Sequence, residues 1–173
     1  SVKPLLLTRV GVRVAVLGAG QMGTEIITQI GEMKGMEVSV VVDLDRQRAE
    51  AGYASMRHRP RVAFTNSGRE AEAALAAGSR VASSDYRLAT SLAPVEVVID
   101  ATGSTEMGAL VTVDAIAHKK HIVMMNVECD VTIGPILRRL AEQAGVVYSL
   151  AAGDEPAAIL APMALTDIAS RSA

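Results

Sequence analysis

A chain of 173 residues, half of them hydrophobic, holds one domain with a sizeable core, or one domain and a stub of a second. Seventeen basic residues against nineteen acidic ones give a net charge of −2, which offers no electrostatic case for nucleic acid or an anionic membrane as partner. The single cysteine, Cys129, excludes an internal disulfide and fits a reducing compartment, and no apolar run approaches the roughly 20 residues that span a bilayer. A cytoplasmic protein is expected, since Thr8, Arg9 and Arg13 also break any signal-peptide pattern at the start.

Strand-like and helix-like runs alternate along the chain. Residues 13–17 read as a strand, 22–33 as a helix, 37–43 as a strand and 46–56 as a helix. An alanine-rich helix over 70–77 follows, with Ser67 and Glu70 as a capping box and Gly78 as its stop. Asp85 caps a short helix over 86–91; a strand at 95–100 and a helix at 106–118 come next. Residues 121–125 are a strand, 133–144 a helix with Thr132 as N-cap and Pro135 in its first turn, and 146–150 a strand. With no Trp, one Phe and three Tyr, the core is aliphatic. That suits strands buried on both faces. The alternation predicts an α/β fold of Rossmann type: a doubly wound parallel sheet in a three-layer α/β/α sandwich.

The first turn of this pattern is Gly18-Ala19-Gly20-Gln21-Met22-Gly23, between a strand and a helix. In that setting Gly18 permits the tight turn, Gly20 lets backbone approach a pyrophosphate, and Gly23 lets helix pack on strand. Gln21 and Met22 offer backbone N–H groups at a helix N-terminus, where phosphate is favoured. The second strand ends in Asp43, twenty residues after Gly23, where a carboxylate accepts bonds from ribose hydroxyls. Asp43 favours NAD; Arg46 and Arg48 just beyond it are arginines that pair with a 2′-phosphate and so favour NADP. The residues leave that choice open.

Two further strand ends point at the same sheet edge. Asp100-Ala101-Thr102-Gly103 is small enough at Ala101, Thr102 and Gly103 for a ribose or nicotinamide to rest on backbone. Asn126-Val127-Glu128-Cys129-Asp130 follows the next strand, with Asn126 toward the cofactor and Glu128 or Asp130 either a general base or part of a solvated loop. Asp154 and Glu155, after Gly153, are the remaining candidates for substrate contact beside Glu128. Cys129 has no His partner in the sequence nearby and reads as a packed thiol, and His118 and His121 make no metal site.

Together these segments resemble the homoserine-dehydrogenase-like NAD(P)-binding proteins, and within them the branch whose longer members carry a C-terminal SAF domain. The likeness runs from about Val10 to Ile159 and is most specific over 121–134 and at Gly153-Asp154-Glu155-Pro156. It implies hydride transfer between a nicotinamide cofactor and a small polar carbonyl or hydroxyl substrate. One type in the branch, the deoxyxylulose phosphate reductoisomerase-like enzyme, uses NADPH, which inclines the cofactor to NADP. Homoserine dehydrogenases proper have a lysine after the asparagine; here Val127 follows Asn126, which weakens homoserine as the substrate.

The expectation is thus a dinucleotide-binding domain over 1–159 and a tail, or the start of a substrate domain, over 160–173. Apolar Ile159, Leu160 and Met163 in that region suggest a homo-oligomer. The other function class is a non-catalytic nucleotide-sensing module, which needs the glycines and Asp43 but not the carboxylates. A methyltransferase is disfavoured by the glycine spacing and the lack of an aromatic clamp.

Overall fold

The strands are short and aliphatic because both of their faces are covered. The computed structural model describes residues 11–151. Its seven strands are β1 (Val12–Leu17), β2 (Met36–Val42), β3 (Val62–Phe64), β4 (Arg80–Ser83), β5 (Val97–Asp100), β6 (His121–Met124) and β7 (Tyr148–Leu150). They form one sheet in the order β3-β4-β2-β1-β5-β6-β7, with every pairing parallel. The six α-helices are α1 (Gln21–Glu32), α2 (Arg46–Ala51), α3 (Gly68–Ala76), α4 (Tyr86–Ser91), α5 (Thr105–Ala117) and α6 (Val127–Ala144).

Alternate residues of one strand feed two cores. Ala15 and Leu17 of β1 pack with α3, α4, α5 and α6, while Val14 and Val16 pack with α1, α2 and Tyr53 on the other face. This is the three-layer α/β/α arrangement expected of aliphatic strands joined by helices. The chain leaves β1 toward β2 on one side and returns to β5 on the other, so the strand order reverses between β1 and β5. In open parallel sheets that switch point opens a crevice at the carboxyl ends of the strands.

Five of the seven strands follow the aliphatic runs; β3 and β4 escaped them. β3 lies between Arg61 and Thr65, and β4 begins on Arg80 and ends on Ser83, so neither sits in a longer aliphatic run. Arg80 is held by Glu37 at 3.0 Å, and Glu37 also pairs with Arg13 at 3.0 Å. One carboxylate thus gathers the amino ends of β1, β2 and β4, a link that local pattern does not reveal.

Helix ends moved where a tertiary contact overrode the local signal. The helix expected over 46–56 ends at Ala51 and continues as a 3₁₀ turn, Gly52–Ser55, which brings Tyr53 under the sheet to donate to the Val81 carbonyl at 3.0 Å. At α3, Ser67 accepts the Glu70 N–H, but the Glu70 carboxylate accepts from Thr65 Oγ1 at 2.6 Å instead of closing the capping box. The largest correction is α6. It starts at Val127, with Asn126 and not Thr132 as its cap, so Asn126 to Asp130 is no loop. Pro135 then sits inside the helix, where it has no N–H for the ladder, and Thr132 Oγ1 donates back to the Glu128 carbonyl at 2.6 Å.

Two basic side chains secure the amino-terminal edge of β5, β6 and β7. Lys120 is buried with its ammonium donating to the Leu92 carbonyl at 2.9 Å and the Val95 carbonyl at 2.7 Å, and burial pulls its pKa down. His121 Nδ1 accepts the Val147 N–H at 3.0 Å, which ties the chain entering β7 to β6. Burial lowers the His121 pKa below its ordinary 6.5, against an opposing pull from Glu96. The unfolded chain therefore takes up the proton first as pH falls. This contact stabilises above pH 6.5 and is lost as pH drops through the folded-state value. Thermal melts should show stability falling as pH drops below 6.5, and His121→Gln, which keeps an acceptor that does not titrate, should flatten that fall. Parallel profiles for the two proteins would refute the assignment.

Candidate functional site

The glycine turn is shaped by close backbone contact. Gly18 has φ +88°, and a Cβ there would stand 2.5 Å from the Ala101 carbonyl oxygen. A Cβ on Gly23 would overlap the Gly18 carbonyl oxygen outright. Both glycines are therefore demanded by the fold itself. Gly20 differs. Its φ of −71° suits any residue, and a Cβ there would meet nothing within 4 Å. Among the described residues, nothing packs into the open space above Gly20.

Behind Gly20 lies a helix end of the same character. Side chains cap five of the six α-helices: Asp45, Ser67, Asp85, Ser104 and Asn126. Only α1 has no side-chain cap, and its first turn carries no acidic residue. Among the described residues, its leading N–H groups, at Gln21 and Met22, thus have no side-chain cap to answer their partial positive charge.

Asp43 closes the loop from the other side. Its Oδ2 accepts the Ala19 N–H at 2.8 Å and its Oδ1 accepts the Asp45 N–H at 2.9 Å. A carboxylate offers about four lone-pair sites, so two remain for outside donors. Asp43 is thereby both a brace for the glycine turn and an acceptor at the cleft. Two adjoining hollows flank it. One, of about 560 Å³, is lined by Gly20, Gln21, Thr24 and Arg48. The other, of about 500 Å³, runs from Asp43, Leu44 and Arg48 past Ser84 and Tyr86 to Thr102, Ser104 and Met107. These sizes suit a small-molecule or cofactor site.

The two arginines behave differently from the sequence reading, which set Arg46 at the ribose. Arg46 is engaged elsewhere: its guanidinium lies 4.3 Å from the centre of the Phe64 ring and bonds Glu50 at 3.0 Å. Arg48 lines both hollows, and its ion pair to Asp45 is long at 3.9 Å. Leu44, Tyr86 and Met107 were not singled out from the sequence. Leu44 is 87% exposed at the lip of the cleft, and an apolar residue directly after the acid that follows β2 was the available signal.

At the β5 and β6 ends, Thr102 lines the cleft beside the Asp43 loop, and Gly103 follows with φ +68°. Asn126, expected to face the cofactor, is buried with its amide fully engaged. Its Oδ1 accepts the Cys129 N–H at 3.1 Å, and its Nδ2 donates to the Ser104 carbonyl at 2.8 Å. It braces the cleft wall from within. Glu128 is exposed in the first turn of α6, where an acid suits the helix dipole, and Asp130 accepts from Tyr148 Oη at 2.8 Å. Cys129 is fully buried, and burial followed by the nearby Asp100 and Asp130 charges pushes its thiol pKa up, so it is no ready nucleophile. Asp154 and Glu155 lie outside the described residues, as do Ile159, Leu160 and Met163. Among the described residues no cluster of His, Cys, Asp or Glu is placed to hold a metal, and no helix is long and apolar enough to cross a membrane.

A parallel sheet with this glycine turn, an uncapped α1 and an acid ending β2 defines a Rossmann-type dinucleotide-binding domain. The model of the homoserine dehydrogenase NAD-binding domain matches residues 18–150, and the chain belongs to that family. NAD or NADP is the cofactor. No curated protein matches the chain. Solved structures share the fold. An NAD-binding oxidoreductase from Klebsiella pneumoniae is 18% identical, with a TM-score of 0.58 over 82% of this chain and 34% of that one. A probable dehydrogenase from Thermotoga maritima is 15% identical, with a TM-score of 0.59 over 80% and 35%. Scyllo-inositol dehydrogenase from Lactobacillus casei, described with bound NAD(H) and scyllo-inositol, is 11% identical with a TM-score of 0.56 over 81% and 36%. The chain spans about a third of the length of these proteins.

The contact logic predicts unequal costs along the motif. Gly23→Ala should destabilise the domain by about 3 kcal/mol, the upper end for overpacking into backbone. Gly20→Ala should change stability by less than about 0.5 kcal/mol. Urea unfolding of the two variants checks the contrast, and equal losses would contradict it.

Proposed function

We propose that this chain is the cofactor-holding part of an oxidoreductase that passes a hydride between a nicotinamide and a small polar carbonyl or hydroxyl compound. The observation that carries the reading is the empty approach to Gly20: a fold-neutral position is occupied by the one residue that leaves room for a phosphate against uncapped N–H groups. The resemblance of residues 121–134 to the SAF-containing branch supports an NADPH-using member within the family, and the single cysteine suits a reducing, cytoplasmic setting.

The residues fit the cofactor in parts. N–H groups of Gln21 and Met22 would hold the pyrophosphate, with Gly18 and Gly23 setting the turn. Asp43 would accept from the adenosine ribose, and Leu44, Tyr86 and Met107 form apolar walls for the adenine. Ala101, Thr102 and Gly103 would support the rest of the dinucleotide from the β5 end. When bound, the nicotinamide supplies the hydride chemistry, and the protein contributes placement and electrostatics. Glu128, Asp154 and Glu155 remain candidates to touch substrate.

Arg48 decides the choice of dinucleotide. It is the arginine on the cleft and is weakly held, so it can pair with a 2′-phosphate, whereas Arg46 is engaged by Glu50 and Phe64. NADPH should bind at least tenfold more tightly than NADH, about 1.4 kcal/mol. Titration by nicotinamide fluorescence should show Arg48→Ala erasing that preference while Arg46→Ala keeps it. Gly20→Ala should weaken both dinucleotides at least tenfold in a protein of unchanged stability. A Gly20→Ala chain that binds both as wild type does would sink the proposal.

A further inference from the structure

The end of β5 carries an acid that cofactor binding does not explain. Asp100 is fully buried. Its Oδ1 accepts the Thr102 N–H at 3.0 Å and the Thr102 Oγ1–H at 2.7 Å, and Asn126 Nδ2 approaches its Oδ2 at 3.5 Å. The same Asn126 amide donates to the Ser104 carbonyl at 2.8 Å and accepts from Cys129 N–H. Gly108 of α5 makes room for this cluster. A Cβ there would stand 2.6 Å from Asp100 Oδ2, 3.0 Å from Cys129 Sγ and 3.1 Å from Asn126 Nδ2.

A carboxyl in such a place is costly, because it gives up water for a small set of fixed donors. Burial raises its pKa, with the bonds from Thr102 and Asn126 pulling the other way. The hydrophobic core packed behind the sheet at this end is apolar, so packing alone does not call for an acid. What Asp100 does reach is the β5–α5 turn, at Thr102 directly and at Ser104 through Asn126. Both of those residues wall the cleft that runs to Asp43.

We infer that Asp100 is a positioning residue of the dinucleotide site: its carboxyl, through Thr102 and through the Asn126–Ser104 link, sets the shape of the β5–α5 turn on which the dinucleotide seats. The inference rests on the cofactor reading given above. Asp100 touches no cofactor atom itself; it presents the residues that do.

The test uses the full chain, with NADH and NADPH affinity, thermal melting, and exchange of the Thr102 amide without ligand as readouts. Asp100→Ala is expected to weaken both dinucleotides at least tenfold and to speed Thr102 exchange by a similar factor, since the turn loses its preorganisation. Asp100→Asn keeps one acceptor for Thr102 but sets its NH₂ against that of Asn126, and is expected to weaken binding roughly threefold. Lys120→Met, at the opposite end of the sheet, is the stability control: it should lower Tm while both affinity and Thr102 exchange stay within twofold of wild type. A folded Asp100→Ala chain with wild-type affinity overturns the inference. So does a Lys120→Met chain whose affinity falls in step with its Tm, because affinity would then follow stability alone. If Asp100→Ala does not fold, Asp100→Asn carries the test, and wild-type affinity with wild-type Thr102 exchange overturns it. A wild-type chain that binds neither dinucleotide removes the cofactor reading instead, and Thr102 exchange in the Asp100 variants still decides the positioning.

Discussion

The site depends on a backbone contact with no room in it. The turn after β1 lies against the end of β5, so that Gly18 meets the Ala101 carbonyl, and the first turn of α1 folds back until Gly23 meets Gly18. Any side chain at those two glycines forces the strands or the helix apart. Because β1 and β5 are hydrogen-bonded neighbours at the point where strand order reverses, the same contact determines where the crevice opens. The N-terminus of α1, the Asp43 loop and the 101–104 turn are all held relative to it.

Two carboxylates stabilise this junction, one on each side. Asp43 draws the Ala19 N–H from the glycine turn and remains partly exposed, with capacity left for a ligand. Asp100 draws Thr102 from the β5 end and is sealed from water. The first meets solvent and so retains two functions, brace and acceptor. The second has given up direct contact with any ligand and acts only through the residues it holds. Polar groups in a dry interior bond at short range and tolerate little rearrangement, so the burial of Asp100 and Asn126 makes the cleft wall stiff.

Much of the fold was legible because it rests on short-range pattern. Aliphatic runs marked β1, β2, β5, β6 and β7, and Asp85, Ser67 and Gly78 marked helix ends as local capping chemistry requires. β3 and β4 were not legible, since polar residues bound them closely, Arg61 and Thr65 around β3 and Arg80 and Ser83 in β4, and β4 owes its place partly to the Arg80–Glu37 pair, 43 residues apart. The start of α6 was misjudged for a related reason. Thr132 and Pro135 are a plausible local helix start, but Asn126 is pinned by Ser104 across 22 residues and its Oδ1 is turned onto the Cys129 N–H, which starts the helix earlier.

By itself, the sequence determined the parallel α/β architecture, the glycine turn with its uncapped helix, and an acid at the end of β2, all of which follow from residue type and spacing along one segment. Tertiary structure alone decided which arginine lines the cleft, that Asn126 is buried as a brace within its wall, and that Asp100 stands behind Thr102. The first two turn on distances between segments well separated in the chain, such as Arg46 to Phe64 or Asn126 to Ser104, and the third on burial that the neighbouring elements create. Such distances exist only once the strands have taken their order in the sheet.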